Sequence, residues 1–183
     1  SMAGATPVMI VGLPRSGCGL LATIIERHPD VDITKGSSRV ELFVKKAWHQ
    51  SGGVWPHDGP ARDDELAQKL ADDVFKLRSG RKRLHTHATW HNFQYLGLVA
   101  QLLPNLRVIE CIRDPRDVGL ACYLSDTQST RDLPFAYDLR DISRYIEQYQ
   151  ELMSHWRSEL QVPMLQISYE QLVTEPARAG KAI

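Results

Sequence analysis

Two short, largely apolar runs constrain this chain more than any other feature. Residues 7–12 read PVMIVG and residues 106–112 read LRVIECI. Neither run alternates with polar residues, so each needs apolar partners on both faces, the situation of a central strand in a parallel sheet. Each is also followed by an arginine-bearing turn and then by a helix-like stretch: GLPRSGCGLL after the first, RDPRDVGLACY after the second. The rest of the chain keeps this rhythm. Helices are expected over 17–27, 37–50, 64–79, 92–103, 115–124 and 137–160, and further strands over 31–34, 82–88 and 162–168. On 137–160, Leu139, Ile142, Ile146, Tyr149, Leu152, Met153 and Trp156 share one face. Glycine-, proline- and aspartate-rich segments at 51–64 and 125–135 read as loops. Alternating strands and helices imply an α/β fold with a P-loop-type parallel sheet flanked by helices in three layers. In such sheets ligands sit beyond the carboxyl ends of the strands. The two arginine turns stand there.

The first turn carries Gly12 and Gly17 at the spacing of a phosphate-binding loop, but Cys18 and Gly19 stand where lysine and Ser/Thr would reach a terminal phosphate and its magnesium. ATP chemistry is disfavoured, although a small-molecule kinase remains a third reading. The backbone argument survives: amides of residues 15–20, including Gly17, Cys18, Gly19 and Leu20, can point at an anion from a helix N-terminus. Arg15 adds a forked cation. Such a loop suits a phosphate or sulfate held without a metal. Arg113, at the end of the second apolar run, is expected to face the same crevice, with Asp114-Pro115 opening the next helix.

Bulk properties bound the partners. Lysine plus arginine (22) equals aspartate plus glutamate (22), so the chain lacks the basic excess of a general nucleic-acid binder. No apolar run approaches the roughly 20 residues of a membrane span, and no stretch reads as a signal peptide, although Ser1-Met2 looks like a cloning remnant in place of the native start. Cys18, Cys111 and Cys122, three in number and without paired or metal-type spacing, read as reduced thiols in a cytoplasmic setting, Cys111 and Cys122 as small buried hydrophobes.

At this point the chain resembles a known family. IVGLPRSGCGLL (10–21) looks like the 5′-phosphosulfate loop of sulfotransferases that use 3′-phosphoadenosine 5′-phosphosulfate (PAPS), and RVIECIRDPRDVGLACYL (107–124) looks like their 3′-phosphate motif. LQISYEQLVTEP (165–176) is similar to the strand and Tyr-Glu-x-Leu-Val that follow, and LPFAYDLRDISRYIEQYQELMSHW (133–156) resembles the long helix of bacterial sulfotransferase domains. The likeness runs from about residue 7 to 183 and implies one domain over 3–183, truncated at its C-terminus, where the family's glycine- and lysine-containing closing loop has no counterpart. It implies PAPS as co-substrate, PAP as product, no metal, and a small-molecule or macromolecular hydroxyl acceptor. Arg15, Ser16 and Gly17 would wrap the 5′-phosphosulfate, Arg113 would bind the 3′-phosphate and Tyr169 would lie near the adenosine. RLHTHAT resembles the family's Lys-Thr-His stretch, with His87 as the base that takes the acceptor proton and His85 in place of the lysine that assists the leaving phosphate. The branch that uses a glutamate after HPDV would have to rely on Glu41, several residues late.

The chain departs from the pattern at Cys18-Gly19, where the family has Thr-Thr, and at Ala121, where it has Ser. Each change removes a hydroxyl donor to a charged oxygen, a contact worth roughly 1.5–3 kcal/mol. A second reading follows: a catalytically inactive relative that serves as a binding or interaction module.

Overall fold

The structure is a computed structural model that describes residues 5–35, 39–50, 64–75, 83–125 and 133–182; for Lys35, His87, Lys181 and Ala182 it describes the backbone alone. Five strands, β1 (Thr6–Gly12), β2 (Val31–Lys35), β3 (Leu84–Ala88), β4 (Arg107–Ile112) and β5 (Met164–Ser168), form one sheet in the order β2-β3-β1-β4-β5. Every neighbouring pair is parallel. The two apolar runs are β1 and β4, side by side with Ile10 opposite Ile109 and Gly12 opposite Cys111. Their continuous apolarity has the expected cause. Val8 and Ile10 of β1 pack with Ile109 and Cys111 of β4 on one face, and Met9, Val11 and Val108 pack on the other.

Helix α1 (Cys18–Ile25) covers the first face, joined there by Leu172 of α7 (Tyr169–Thr174) and Ala179 of α8 (Pro176–Ala182). The opposite face is covered by α2 (Arg39–Gln50), α3 (Asp64–Lys69) with a π-helical turn at Leu70–Val74, α4 (Leu96–Leu102), α5 (Pro115–Tyr123) and the long α6 (Leu139–Glu159). Glu110 is the exception within β4. Its carboxylate, 2% exposed, faces α6 and accepts hydrogen bonds from the Tyr149 hydroxyl (3.0 Å), Arg157 Nη1 (2.9 Å) and Gln166 Nε2 (2.9 Å). Burial, followed by the negative carboxylate beside it, pushes the Tyr149 hydroxyl well above the ordinary tyrosine range.

Local chemistry accounts for most helix starts. Asp138 caps α6 by accepting from the Arg140 amide (2.7 Å), Asp114 caps α5 by accepting from the Arg116 amide (2.8 Å) with Pro115 as its first residue, and Ser168 caps α7. Several expected boundaries move. The helix expected over 17–27 is Cys18–Ile25. The one expected over 92–103 is a 3₁₀ turn at Trp90–Tyr95 followed by α4, because Trp156 Nε1 donates to the Phe93 carbonyl (2.8 Å) and its ring lies on Gly97. Leu139, expected on the buried face of α6, is exposed, and Pro134–Tyr137, expected partly as loop, is a 3₁₀ turn. The expected loops at 51–63 and 126–132, the start of the strand at 82, the helix start at 37–38 and the helix end at 76–79 lie outside the described residues. Among the described residues, no helix is long and apolar enough to cross a membrane.

Candidate functional site

The carboxyl ends of β3, β1 and β4 lie next to one another, and a cavity of about 790 Å³ opens beyond them. The β1–α1 turn supplies one wall with Leu13, Arg15, Gly17, Cys18 and Gly19. The residues after β4 supply Arg113 and Ala121, α7 supplies Tyr169, and the end of β3 supplies Ala88, Thr89, Trp90 and His91.

The turn is bent sharply. Arg15 has φ +63° and Gly17 φ +101°, so two of three successive residues are left-handed. For arginine this conformation costs about 1–2 kcal/mol, and it is held from two sides. The Ser16 amide donates to the Leu13 carbonyl (3.1 Å), and Arg113 Nη1 donates to the Arg15 carbonyl (2.9 Å). Gly17 caps α1 with no side chain, and the first intrahelical bond runs from the Leu21 amide to the Gly17 carbonyl (2.9 Å). The amides of Cys18, Gly19 and Leu20 therefore have no acceptor inside the helix and lie at its positive end.

Arg113 ties the two halves together. Besides holding Arg15, its guanidinium lies 4.4 Å from the centre of the Tyr169 ring. Its Nε is buried and has no hydrogen-bond partner among the described residues. A buried charged donor without an acceptor is costly, so this atom is set for an acceptor that a ligand brings. The Tyr169 ring in turn rests on Gly17: a Cβ there would stand 2.6 Å from Tyr169 Cδ2. Glu170 fastens the same corner. It accepts from the Asp114 amide (3.3 Å) and from the Ser168 hydroxyl, and the Ser168 bond first of all holds its pKa below the usual carboxylate range.

The cavity thus brings together Arg15, Gly17, Cys18, Gly19, Arg113, Ala121 and Tyr169 of the expected residues. It does not gather all of them. Ser16 is 1% exposed and its hydroxyl turns inward to Cys18 Sγ (3.5 Å), because Gly12 leaves the space that a Cβ would take from it. The Ser16 side chain does not line the cavity. Leu20 offers only its amide, and its exposed side chain does not line the cavity. His85 stands apart as well. It is the second residue of β3, 2% exposed, with Nδ1 3.9 Å from the Asp32 carboxylate of β2, and it does not line the cavity. His87 stands nearer the carboxyl end of β3, paired in register with Met9 and Thr34, and its side chain lies outside the described residues. Glu41 forms an ion pair with Lys45 (2.5 Å) on α2 and takes no part in the cavity wall.

Sequence reading missed Thr89, Trp90 and His91. They follow β3 directly, and the rule that ligands sit beyond strand ends could have found them. Trp90 lies on the His91 ring (centroids 3.2 Å apart) and meets Tyr145 edge-on (6.4 Å), and Tyr145 stacks on Phe135 (3.9 Å). Trp90 and His91 thus form an aromatic part of the cavity wall, backed by Tyr145 and Phe135.

A parallel sheet of this strand order, with a glycine-cornered anion loop after β1 and an arginine after β4, defines a phosphate-loop-type α/β protein. Comparison with known proteins narrows the class. The sulfotransferase family profile matches residues 7–183, and the chain belongs to that family. An uncharacterized protein of Aquifex aeolicus (strain VF5) is 29% identical over 181 residues, a match that takes in 93% of this chain and 24% of that protein. The chain thus spans about a quarter of the length of this curated relative. Among solved structures, a sulfotransferase from Alicyclobacillus acidocaldarius shares the fold with TM-score 0.57 at 18% identity, over 95% of this chain and 77% of that one. A mouse sulfotransferase solved in complex with PAP does so with TM-score 0.54 at 18% identity, over 96% and 56% respectively.

Proposed function

We propose that this chain, as a single sulfotransferase-like domain over residues 3–183, moves a sulfuryl group from PAPS to a hydroxyl acceptor by in-line transfer. The observation that carries the reading is Arg113, which holds the strained loop with Nη1 and keeps a buried Nε without an acceptor in the same cavity as Arg15 and the α1 amides. Two forked cations and a row of unspent amides fit a ligand with two anionic groups. The mouse relative, named as complexed with PAP, supports that choice of nucleotide.

PAPS, the co-substrate, supplies the sulfuryl group and leaves as PAP. Arg113 would hold the 3′-phosphate and the Tyr169 ring would lie near the adenosine. Arg15 and the amides of residues 17–20 would take up the negative charge that gathers on the departing phosphate, a preorganised stabilisation that needs no rearrangement. His87 would receive the proton of the acceptor hydroxyl as the oxygen attacks sulfur. The acceptor would enter past Trp90 and His91.

A specific observation favours a second reading. Ser16 points inward to the Cys18 thiol, Gly19 has no side chain and Ala121 has no donor. An inactive nucleotide-binding or interaction module would look the same. Calorimetric titration of PAP, followed by a transfer assay over an acceptor panel, separates the two. Saturable binding that Arg15→Ala and Arg113→Ala each abolish, together with turnover, supports transfer. Binding without turnover, or no binding by a folded chain, leaves the module. His87→Ala is expected to bind PAP and not transfer, and activity in that variant would remove His87 as the base.

A further inference from the structure

Two of the three cysteines meet beneath the anion loop. Cys18 is the first residue of α1 and Cys111 lies in β4, opposite Gly12. Both side chains touch Ser16: Cys111 Sγ donates to its carbonyl (3.0 Å) and Cys18 Sγ lies 3.5 Å from its hydroxyl, and each thiol shifts the other's acidity. Gly12 makes the approach possible, since a Cβ there would stand 2.8 Å from Cys18 Sγ and 2.7 Å from the Cys111 carbonyl. The pair is also asymmetric in access. Cys18 lines the cavity, whereas Cys111 is 1% exposed and does not.

We propose that Cys18 and Cys111 are a redox site, which hydrogen peroxide converts to an intramolecular disulfide under the anion loop. Cys18 is the attacking thiol. Its neighbour Cys111 and then Ser16 lower its pKa against the opposing effect of burial, and it stands at a helix N-terminus. The same contact, followed by burial, pushes the Cys111 thiol up. In the first step the Cys18 thiolate attacks one peroxide oxygen. The O–O bond breaks, hydroxide leaves and is protonated to water, and Cys18 becomes a sulfenic acid. In the second, the Cys111 sulfur attacks Cys18 sulfur, the S–O bond breaks, and a second water leaves with the Cys111 proton. Two thiols are oxidised and one peroxide is reduced to two waters. The product takes the Cys111 donor away from the Ser16 carbonyl, so oxidation acts on the turn that carries Arg15.

Cys122 is the internal control. It lies in the other core cluster, 3.8 Å from the Pro14 carbonyl, and burial pushes its thiol up. The test is peptide mapping of the full chain under non-reducing conditions after graded peroxide, with alkylation of remaining thiols. Expected are a Cys18–Cys111 cross-linked peptide that dithiothreitol reverses, and loss of free Cys18 on the order of tenfold faster than of Cys122. In Cys111→Ser, Cys18 should stop at a dimedone-reactive sulfenic acid. Cys18 oxidised without a cross-link in the wild-type chain, or Cys122 oxidised as fast, would overturn the proposal. These readouts hold whether or not PAP binds.

Discussion

Replacing Gly17 by alanine tests the site's geometry most directly, because three separate costs converge on one methyl group. Gly17 has φ +101°, a conformation that costs an L-residue about 1–2 kcal/mol. The new Cβ would meet Tyr169 Cδ2 at 2.6 Å and Cys111 Sγ at 3.4 Å, so the Tyr169 ring must move, an overpacking cost of about 1–3 kcal/mol. A displaced ring also weakens its contact with the Arg113 guanidinium, 4.4 Å from the ring centre and worth about 0.5–1 kcal/mol. The sum is about 2.5–6 kcal/mol, or roughly 10 °C in melting temperature for a chain of this size. Gly19→Ala, two residues later, should do the opposite. Its Cβ enters open space inside α1, where alanine is favoured by about 0.5–1 kcal/mol. Scanning calorimetry of both variants and of Gly17→Ala/Tyr169→Ala measures this. In the double variant the ring is gone, so the steric part should vanish and the effects should fall short of additive. A Gly17→Ala melting temperature within about 2 °C of wild type, a difference of under about 1 kcal/mol, would refute the reasoning. Strict additivity with Tyr169→Ala would refute the ring contact specifically.

Other perturbations probe the frame beneath the site. Arg157→Ala strips the charged partner from the Glu110 carboxylate and leaves it two neutral donors; because Arg157 is 40% exposed, the loss should fall at or below the low end of the range for a broken buried pair, about 2–3 kcal/mol, seen as a lower urea midpoint with an unchanged slope. Gly97→Ala gains about 1 kcal/mol of helix propensity, but its Cβ meets the Trp156 ring at 2.6 Å, an overpacking cost of about 1–3 kcal/mol, so a net loss of about 1 kcal/mol is expected in the same assay. Tyr149 keeps its proton in the folded chain beyond the pH, near 10, at which an unfolded tyrosine loses it. Its contribution is therefore intact below about pH 10 and declines as pH rises above that value, and Tyr149→Phe should flatten the alkaline part of the stability profile. An unchanged alkaline slope in that variant would show that the Tyr149 hydroxyl does not carry the effect.

Much of this architecture was legible before any coordinates, and for a local reason. A continuous apolar run such as 7–12 or 107–112 has few stable homes other than a strand covered on both faces, and Asp114-Pro115 or Asp138 marks a helix start through bonds to residues two positions away. The corner at Arg15 and Gly17 follows from glycine spacing within one turn. What the sequence could not express was pairing between distant residues. Nothing in LRVIECI says that Glu110 is a buried carboxylate held by Arg157, because the partner arrives from α6 only once β4 and α6 have packed. Nor does either cysteine announce the other, since β1 and β4 become neighbours only through the order of the sheet. The place of His85 depends on packing for the same reason: its distance from the strand end puts it beside Asp32, and Thr-His likeness carries no information about depth. The sequence by itself determined which segments are strands, where the anion loop bends and which arginines stand at strand ends, since these depend on nearest neighbours along the chain. Tertiary structure alone decided that Arg113 holds Arg15, that Tyr169 rests on Gly17 and that Ser16 turns away from the cavity, since these depend on which surfaces must be buried together.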